Sequence, residues 1–192
     1  TQSALTLAQA NSETDLTYNL SWQLGRLQYA QGNLKEAIVS YNNAIQALNT
    51  LRNDLNTASA EVRFSFRDTV DPIYREMISL LLNQDTSNTP HPENIIQARN
   101  LIESLQLSEL VNFFQTDCDV SNLSQIDNID PHSAVIYPII LTDRLEVIIS
   151  LPGKPLQHHS VSLSSAQINQ IISRLQVEIS KPTGSTGYLP FA

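Results

Sequence analysis

A single cysteine, a single tryptophan, one methionine and five glycines stand in a chain of 192 residues. The lone Cys118 excludes an intrachain disulfide and gives no positive sign of a reducing compartment. So few glycines leave no loop of the kind that cradles phosphate. Basic residues are scarce too: eleven Lys and Arg face nineteen Asp and Glu, a formal net charge of −8. Such a surface repels phosphate backbones and anionic lipid, so neither nucleic acid nor a membrane is expected as a partner. No apolar run approaches the length of a membrane span. The apolar fraction of 41% still supplies a core, and the length suits one large domain or two small ones.

What is present is helical first. Leu24-Gly25, Tyr29, Gly32, Ala37, Tyr41 and Ala44-Ile45 follow the spacing of one tetratricopeptide (TPR) hairpin. The first helix is expected from Asp15 to Tyr29, with Leu16, Leu20, Leu24 and Leu27 as its stripe. Gly32 suits the left-handed residue after a helix end. The second helix runs from Leu34 to Leu51 with Ala37, Ile38, Tyr41, Ala44, Ile45 and Leu48 on one side. Gly25 and Ala37 let the two rods approach, and Tyr29 and Tyr41 are expected as wedges around them. Residues 2–10 read as the end of an earlier helix. Its Ala4-Leu5 echoes Ala44-Ile45, so the chain is expected to be cut from a longer array. A third helix, Ala60 to Asn83, holds Val62, Phe66, Ile73, Met77, Leu80 and Leu81. Pro72 either starts it afresh after Asp71 or kinks it. A polar loop reaches His91. A fourth helix follows from Pro92 to Gln115, with Ile95, Ala98, Ile102 and Leu105, then Leu110, Phe113 and Phe114.

The pattern changes after residue 116. Residues 117–132 form a polar linker ending in Asp130-Pro131. Ala134–Leu141 is continuously apolar, so both its faces are expected to be covered, and Pro138 points to an edge or a bulge. Leu145, Val147, Ile149 and Leu151 alternate with Glu146, Ile148 and Ser150. Pro152-Gly153 fits a type II turn before a third strand through His158 and His159. The short connections predict an antiparallel meander. Ser164 and Gln167 have capping-box spacing. Ile168, Ile171, Ile172, Leu175 and Ile179 then make a stripe expected to cover one face of that meander. Residues 183–192 read as a loop. The fold expected is α+β: TPR-like hairpins over 1–116, the linker, and over 133–192 a three-stranded meander covered by a helix.

Candidate chemistry is thin. Cys118 lacks an evident base among His91, His132, His158 and His159, and reads as a semi-exposed thiol. His158 and His159 are strand neighbours and point to opposite faces, so they cannot ligate one ion together. Asp117, Asp119, Asp127 and Asp130 lack the central glycine of a calcium loop. No catalytic residue, metal ligand or cofactor is expected. In a TPR stack the first helix of each pair faces the groove, which makes Asn19, Gln23 and Arg26 candidates for a protein or peptide partner. Trp22 either joins them or packs inward.

Longer segments carry a resemblance. Phe64-Ser65-Phe66-Arg67-Asp68, Pro72-Ile73-Tyr74-Arg75, Ala98 through Leu110 with its Glu-Ser-Leu-Gln-Leu-Ser-Glu-Leu core, and Asn112-Phe113-Phe114 resemble the junction region of TPR-CHAT proteins. Ala134-Val135-Ile136-Tyr137-Pro138, Asp143-Arg144-Leu145-Glu146 and Leu151-Pro152-Gly153 extend the likeness. It covers most of residues 20–190. In that family, common in filamentous bacteria and cyanobacteria, repeats capture a partner and a downstream caspase-like domain carries a His and Cys dyad. The resemblance implies a partner-binding fragment whose dyad lies beyond residue 192, and it assigns Cys118 no role. A fragment of this kind is also expected to leave a strand edge open, favouring a homodimer.

Overall fold

The computed structural model describes residues 2–11, 13–54, 60–83, 90–114, 130 and 132–180. Cys118, Asp117, Asp119, Asp127 and the loop over 183–192 lie outside the described residues, as do the side chains of Val62, Phe66, Leu110, Phe113 and Phe114. Five helices come first: α1 (Gln2–Ala10), α2 (Thr14–Ala30), α3 (Leu34–Asp54), α4 (Ala60–Leu81) and α5 (Pro92–Phe114). Strands β1 (Val135–Ile140), β2 (Leu145–Ser150) and β3 (Gln157–Val161) follow, and α6 (Ser165–Ile179) closes the described chain. The class is α+β, with helical hairpins and a strand meander.

The α2–α3 hairpin forms because its turn and its seam agree. Gly32 sits at φ 81°, and its N–H bonds the Tyr29 carbonyl while the Asn33 N–H reaches back to Gln28, both at 2.9 Å. These two bonds satisfy carbonyls that a helix end otherwise leaves open. Along the seam, a Cβ added at Gly25 would meet Tyr41 Cδ2 at 2.7 Å and the Ala37 carbonyl at 3.4 Å. Only glycine permits that approach. Ala37, Tyr41, Ala44, Ile45 and Leu48 are buried as the spacing predicts.

Two readings of this hairpin are corrected. The buried line of α2 is Tyr18, Ser21 and Gly25, whereas Leu16 and Leu27 are exposed. A tight seam takes the small residues and sends the leucines to its flanks. Tyr29 is 46% exposed, so of the two wedges only Tyr41 acts as one. Tyr29 lies in the last turn of α2, past the close approach, where its hydroxyl accepts a long bond from Asn83.

Helix α4 continues through Pro72, so the proline lies inside one longer helix and does not start a fresh one after Asp71. Val70, Ile73, Tyr74, Met77, Ile78 and Leu81 are buried, and Ile95, Ala98, Leu101, Ile102 and Leu105 of α5 pack in the same core. That core continues without a break into Tyr137, Ile139, Leu141 and Ile148 of the sheet.

The sheet has the order β1-β2-β3 and is antiparallel throughout. Val135 pairs with Ser150, Tyr137 with Ile148, and Ile148 with His158. Pro138 lies on the edge strand β1, where a missing N–H is tolerated. Gly153 has φ 66°, and Lys154 N–H bonds the Leu151 carbonyl at 3.1 Å, closing the predicted turn. Ser164 and Gln167 form the predicted capping box at the start of α6.

Helical cover for the meander comes from α4 and α5, not from the stripe of α6. Tyr137 donates to Glu103 of α5 at 2.7 Å, and Arg75 of α4 donates to the Ile140 carbonyl at 2.9 Å. Of the α6 stripe only Ile168 is buried; Ile171, Ile172, Leu175 and Ile179 are exposed. The helix is held at its first turn, where Ser165 N–H bonds the Thr142 carbonyl at 3.2 Å. The second face of β1 is therefore open as well, with Ile136 62% exposed, against the expectation of two covered faces.

Candidate functional site

Two linked features occupy the side of the molecule where α2, α4 and the β1–β2 turn meet. The first centres on Glu76 of α4. Its Oε2 accepts from Trp22 Nε1 at 2.7 Å and from the Tyr41 hydroxyl at 2.6 Å, and Arg26 Nε lies 3.8 Å away. Arg26 also sits over the Trp22 ring, 5.3 Å from its centre, in cation–π contact. Burial, then the hydrogen bond to Glu76 and the charge behind it, push the Tyr41 hydroxyl far above its ordinary value. It stays protonated and remains a donor. One carboxylate thus ties three helices together.

Among the four candidates for the groove, the structure divides the labour. Trp22 is half-buried and spends its N–H on Glu76, so it both packs inward and borders the face. Asn19 is half-buried and returns its side-chain N–H to the Asp15 carbonyl one turn earlier, at 3.1 Å. Gln23 and Arg26 are exposed. All four lie on the flank of α2 beside the Tyr18–Ser21–Gly25 seam. Glu76 was invisible to sequence reasoning, because it lies 54 residues from Trp22 and is one of several charged residues on α4.

The second feature is a cleft of about 300 Å³ between α4 and the β1–β2 turn. Asp71, Arg75, Glu76 and Ser79 line it from the helix, with Pro72 beside them; Leu141, Thr142 and Asp143 line it from the turn. The turn keeps its shape through the Leu141 N–H bond to the Arg144 carbonyl at 2.9 Å. Arg75 is committed as a strut. Its Nε reaches both oxygens of Asp71 at 2.9 and 2.8 Å while its Nη1 holds Ile140.

Behind the turn lies a buried ionic group. Glu146 is 1% exposed and faces the helices from β2. Arg144 donates to its Oε1, and His158 Nε2 lies 2.7 Å from its Oε2. Burial raises the Glu146 carboxyl, but the bonds and charges of His158 and Arg144 outweigh it and hold the group below its ordinary value. Burial likewise opposes the charge of Arg144, and Glu146 with Asp143 overcomes that and lifts it above its usual range. Arg144 Nη2 continues to the carbonyl and hydroxyl of Ser79, at 3.3 and 3.1 Å, and so locks sheet to α4.

His158 and His159 do face opposite ways, as the strand period requires. His159 is exposed, whereas the His158 side chain is 3% exposed against Glu146. The cross-strand pairing through Ile148 brings these two together, and no spacing within one strand could have shown it. Among the described residues no three His, Cys, Asp or Glu side chains gather as a metal site, and no helix is long and apolar enough to cross a membrane. Comparison with protein-family models, with curated proteins and with solved structures finds no match.

Proposed function

We propose that this chain is a protein-interaction module: a TPR-like scaffold that binds a protein or peptide partner and carries no reaction centre of its own. The observation that carries the reading is the Trp22–Arg26–Glu76 cluster beside an open cleft on one side of a rigid hairpin. Its base is fixed by half-buried hydrogen bonds from Trp22 and Tyr41 to Glu76, while Gln23 and Arg26 remain exposed to a partner. Rigid elements presenting a small set of polar groups lose little entropy on binding. The polar ties of the cleft walls are mutual, which suits a wall that holds a guest better than one that transfers protons.

Selection of a random peptide-display library on the immobilised chain tests this. Enriched peptides should lose at least about tenfold in affinity, the equivalent of one buried contact, for the double variant Gln23→Phe/Arg26→Ala. A selection that enriches nothing, or peptides that bind the variant unchanged, contradicts the reading.

A second reading has its own support. The outer edges of β1 and β3, which no strand pairs among the described residues, and the exposed apolar stripe of α6 suit a unit on which further structure docks. That fits the docking or regulatory part of a caspase-like cysteine peptidase, as the TPR-CHAT resemblance implies. The parent open reading frame tests it: a His and then a Cys after strand-like runs beyond residue 192 support it, and their absence removes it.

A further inference from the structure

We propose that the cleft between α4 and the β1–β2 turn receives one basic side chain, lysine or arginine, of the partner. The inference rests on the interaction-module reading and names the chemistry it selects. The cleft volume of about 300 Å³ stands at the lower end for ligand pockets, the size for one long side chain.

Its walls choose the charge. Three carboxylates, Asp71, Glu76 and Asp143, line the space against one guanidinium, Arg75. That guanidinium is already spent on Asp71 and on the Ile140 carbonyl. The other two carboxylates keep capacity. Trp22, Tyr41 and Arg26 all converge on Oε2 of Glu76, and Oε1 has no hydrogen-bond partner among the described residues. Asp143 shares Arg144 with the buried Glu146, and its side chain is 69% exposed. A carboxylate offers about four acceptor sites, and ionised donors make the strongest bonds to them. The remaining walls suit the stem of the guest. Pro72 gives apolar surface to a methylene chain, and the Thr142 hydroxyl lies on the wall as a further acceptor, while the Ser79 hydroxyl is already held by Arg144. Both Asp143 oxygens already accept from Arg144 Nη1, at 3.2 and 3.1 Å, so the carboxylate oxygen that an acidic or neutral guest would leave without a partner is Oε1 of Glu76. The net charge of −8 adds long-range attraction for a basic segment.

The only tryptophan of the chain reports on the site, because Trp22 Nε1 bonds the same carboxylate that lines the cleft. The probes are three capped pentapeptides, Ala-Ala-X-Ala-Ala, with X as arginine, lysine or citrulline. Citrulline keeps the shape of arginine without its charge. Emission of Trp22 and calorimetry should both show saturable binding of the arginine and lysine peptides and none of the citrulline peptide. Asp143→Asn, on an exposed turn, should weaken the basic peptides about three- to tenfold, in line with one partly exposed charge pair. Glu76→Gln should weaken them further. Should that variant unfold, Asp143→Asn decides alone. Equal binding of the citrulline peptide overturns the proposal. So does an absence of heat and emission change with millimolar arginine peptide, or an Asp143→Asn variant that binds as the parent does. The parent reading fails separately. Library peptides that bind without any basic residue and ignore Asp143→Asn sink the cleft assignment and leave the interaction module intact.

Discussion

The helical half and the strand half of this chain are held together by different means. In α2 and α3 the seam is made of small residues and one ring: Gly25 and Ala37 close on Tyr41. In the sheet, the face turned to the helices carries a glutamate and a histidine that bond each other across strands and a tyrosine that bonds α5, while Arg144 ties the glutamate to α4. The outer face of the same sheet leaves Ile136 and Val161 exposed and Leu145, Val147 and Ile149 half-exposed, and the stripe of α6 is exposed beyond Ile168. The contrast teaches that apolar periodicity locates an element without saying which of its faces is covered. Hydrophobic burial is non-directional, whereas a buried carboxylate needs defined partners and therefore fixes orientation.

The largest effect is expected at Glu146. Replacing it with Gln leaves the partly buried Arg144 with only the exposed Asp143 as a charged partner, and a loss of about 2–4 kcal/mol is expected in urea unfolding. The pH dependence has a definite sign. The folded-state pKa of Glu146 is depressed, so its stabilisation is present above the ordinary value of 4.5 and is lost as pH falls through the folded value. Acid unfolding monitored by circular dichroism should be shallower in Glu146→Gln below about pH 4.5, because that variant has no proton to take up there. Parallel acid curves would remove the buried ionic group from the account.

Neighbouring residues of β2 sharpen the comparison next. Ile148→Ala, on the helix-facing side with no exposed surface, should cost about 2–5 kcal/mol. Ile149→Ala, one residue on and half-exposed, should cost less than about 1 kcal/mol. Equal costs would mean that the two faces are equally covered. In the helical half, Gly25→Val should cost about 1–3 kcal/mol by overpacking, since its Cβ meets the Tyr41 ring and that ring is fixed by its bond to Glu76. Ser21→Ala should act in the other direction. The Ser21 hydroxyl is fully buried without a hydrogen-bond partner in the described structure, and its removal should add about 1 kcal/mol. The smallest effect belongs to α6. Ile171→Lys and Leu175→Lys should change stability by less than about 0.5 kcal/mol, yet lower any self-association seen by light scattering across a dilution series.

Much of the backbone was legible in the sequence because its signals are local. Gly32 and Asn33 close α2, Pro152-Gly153 makes a turn, Ser164 and Gln167 cap α6, and each needs only residues within one turn of itself. The Gly25–Ala37–Tyr41 seam was legible because the hairpin loop is short enough to fix which residues face each other. Leu16, Leu27 and Tyr29 misled because periodicity alone cannot tell a seam from its flank. The α6 stripe misled because an amphipathic helix announces a partner without saying where it is. Of the candidate site, Asn19, Trp22, Gln23 and Arg26 share a flank as the helical period requires. Glu76, Asp143 and the Glu146–His158 pair join it through contacts between elements distant in sequence, and no single-element pattern records those.

Hydrogen–deuterium exchange of the full chain, with and without a library-selected peptide, tests the central claim most directly. The account predicts added protection on α2 around Gln23, on α4 around Glu76, and over the turn at Leu141–Arg144, with α6 unchanged. Protection confined to α6 and the outer face of β1 and β2, leaving α2 and α4 untouched, would contradict it.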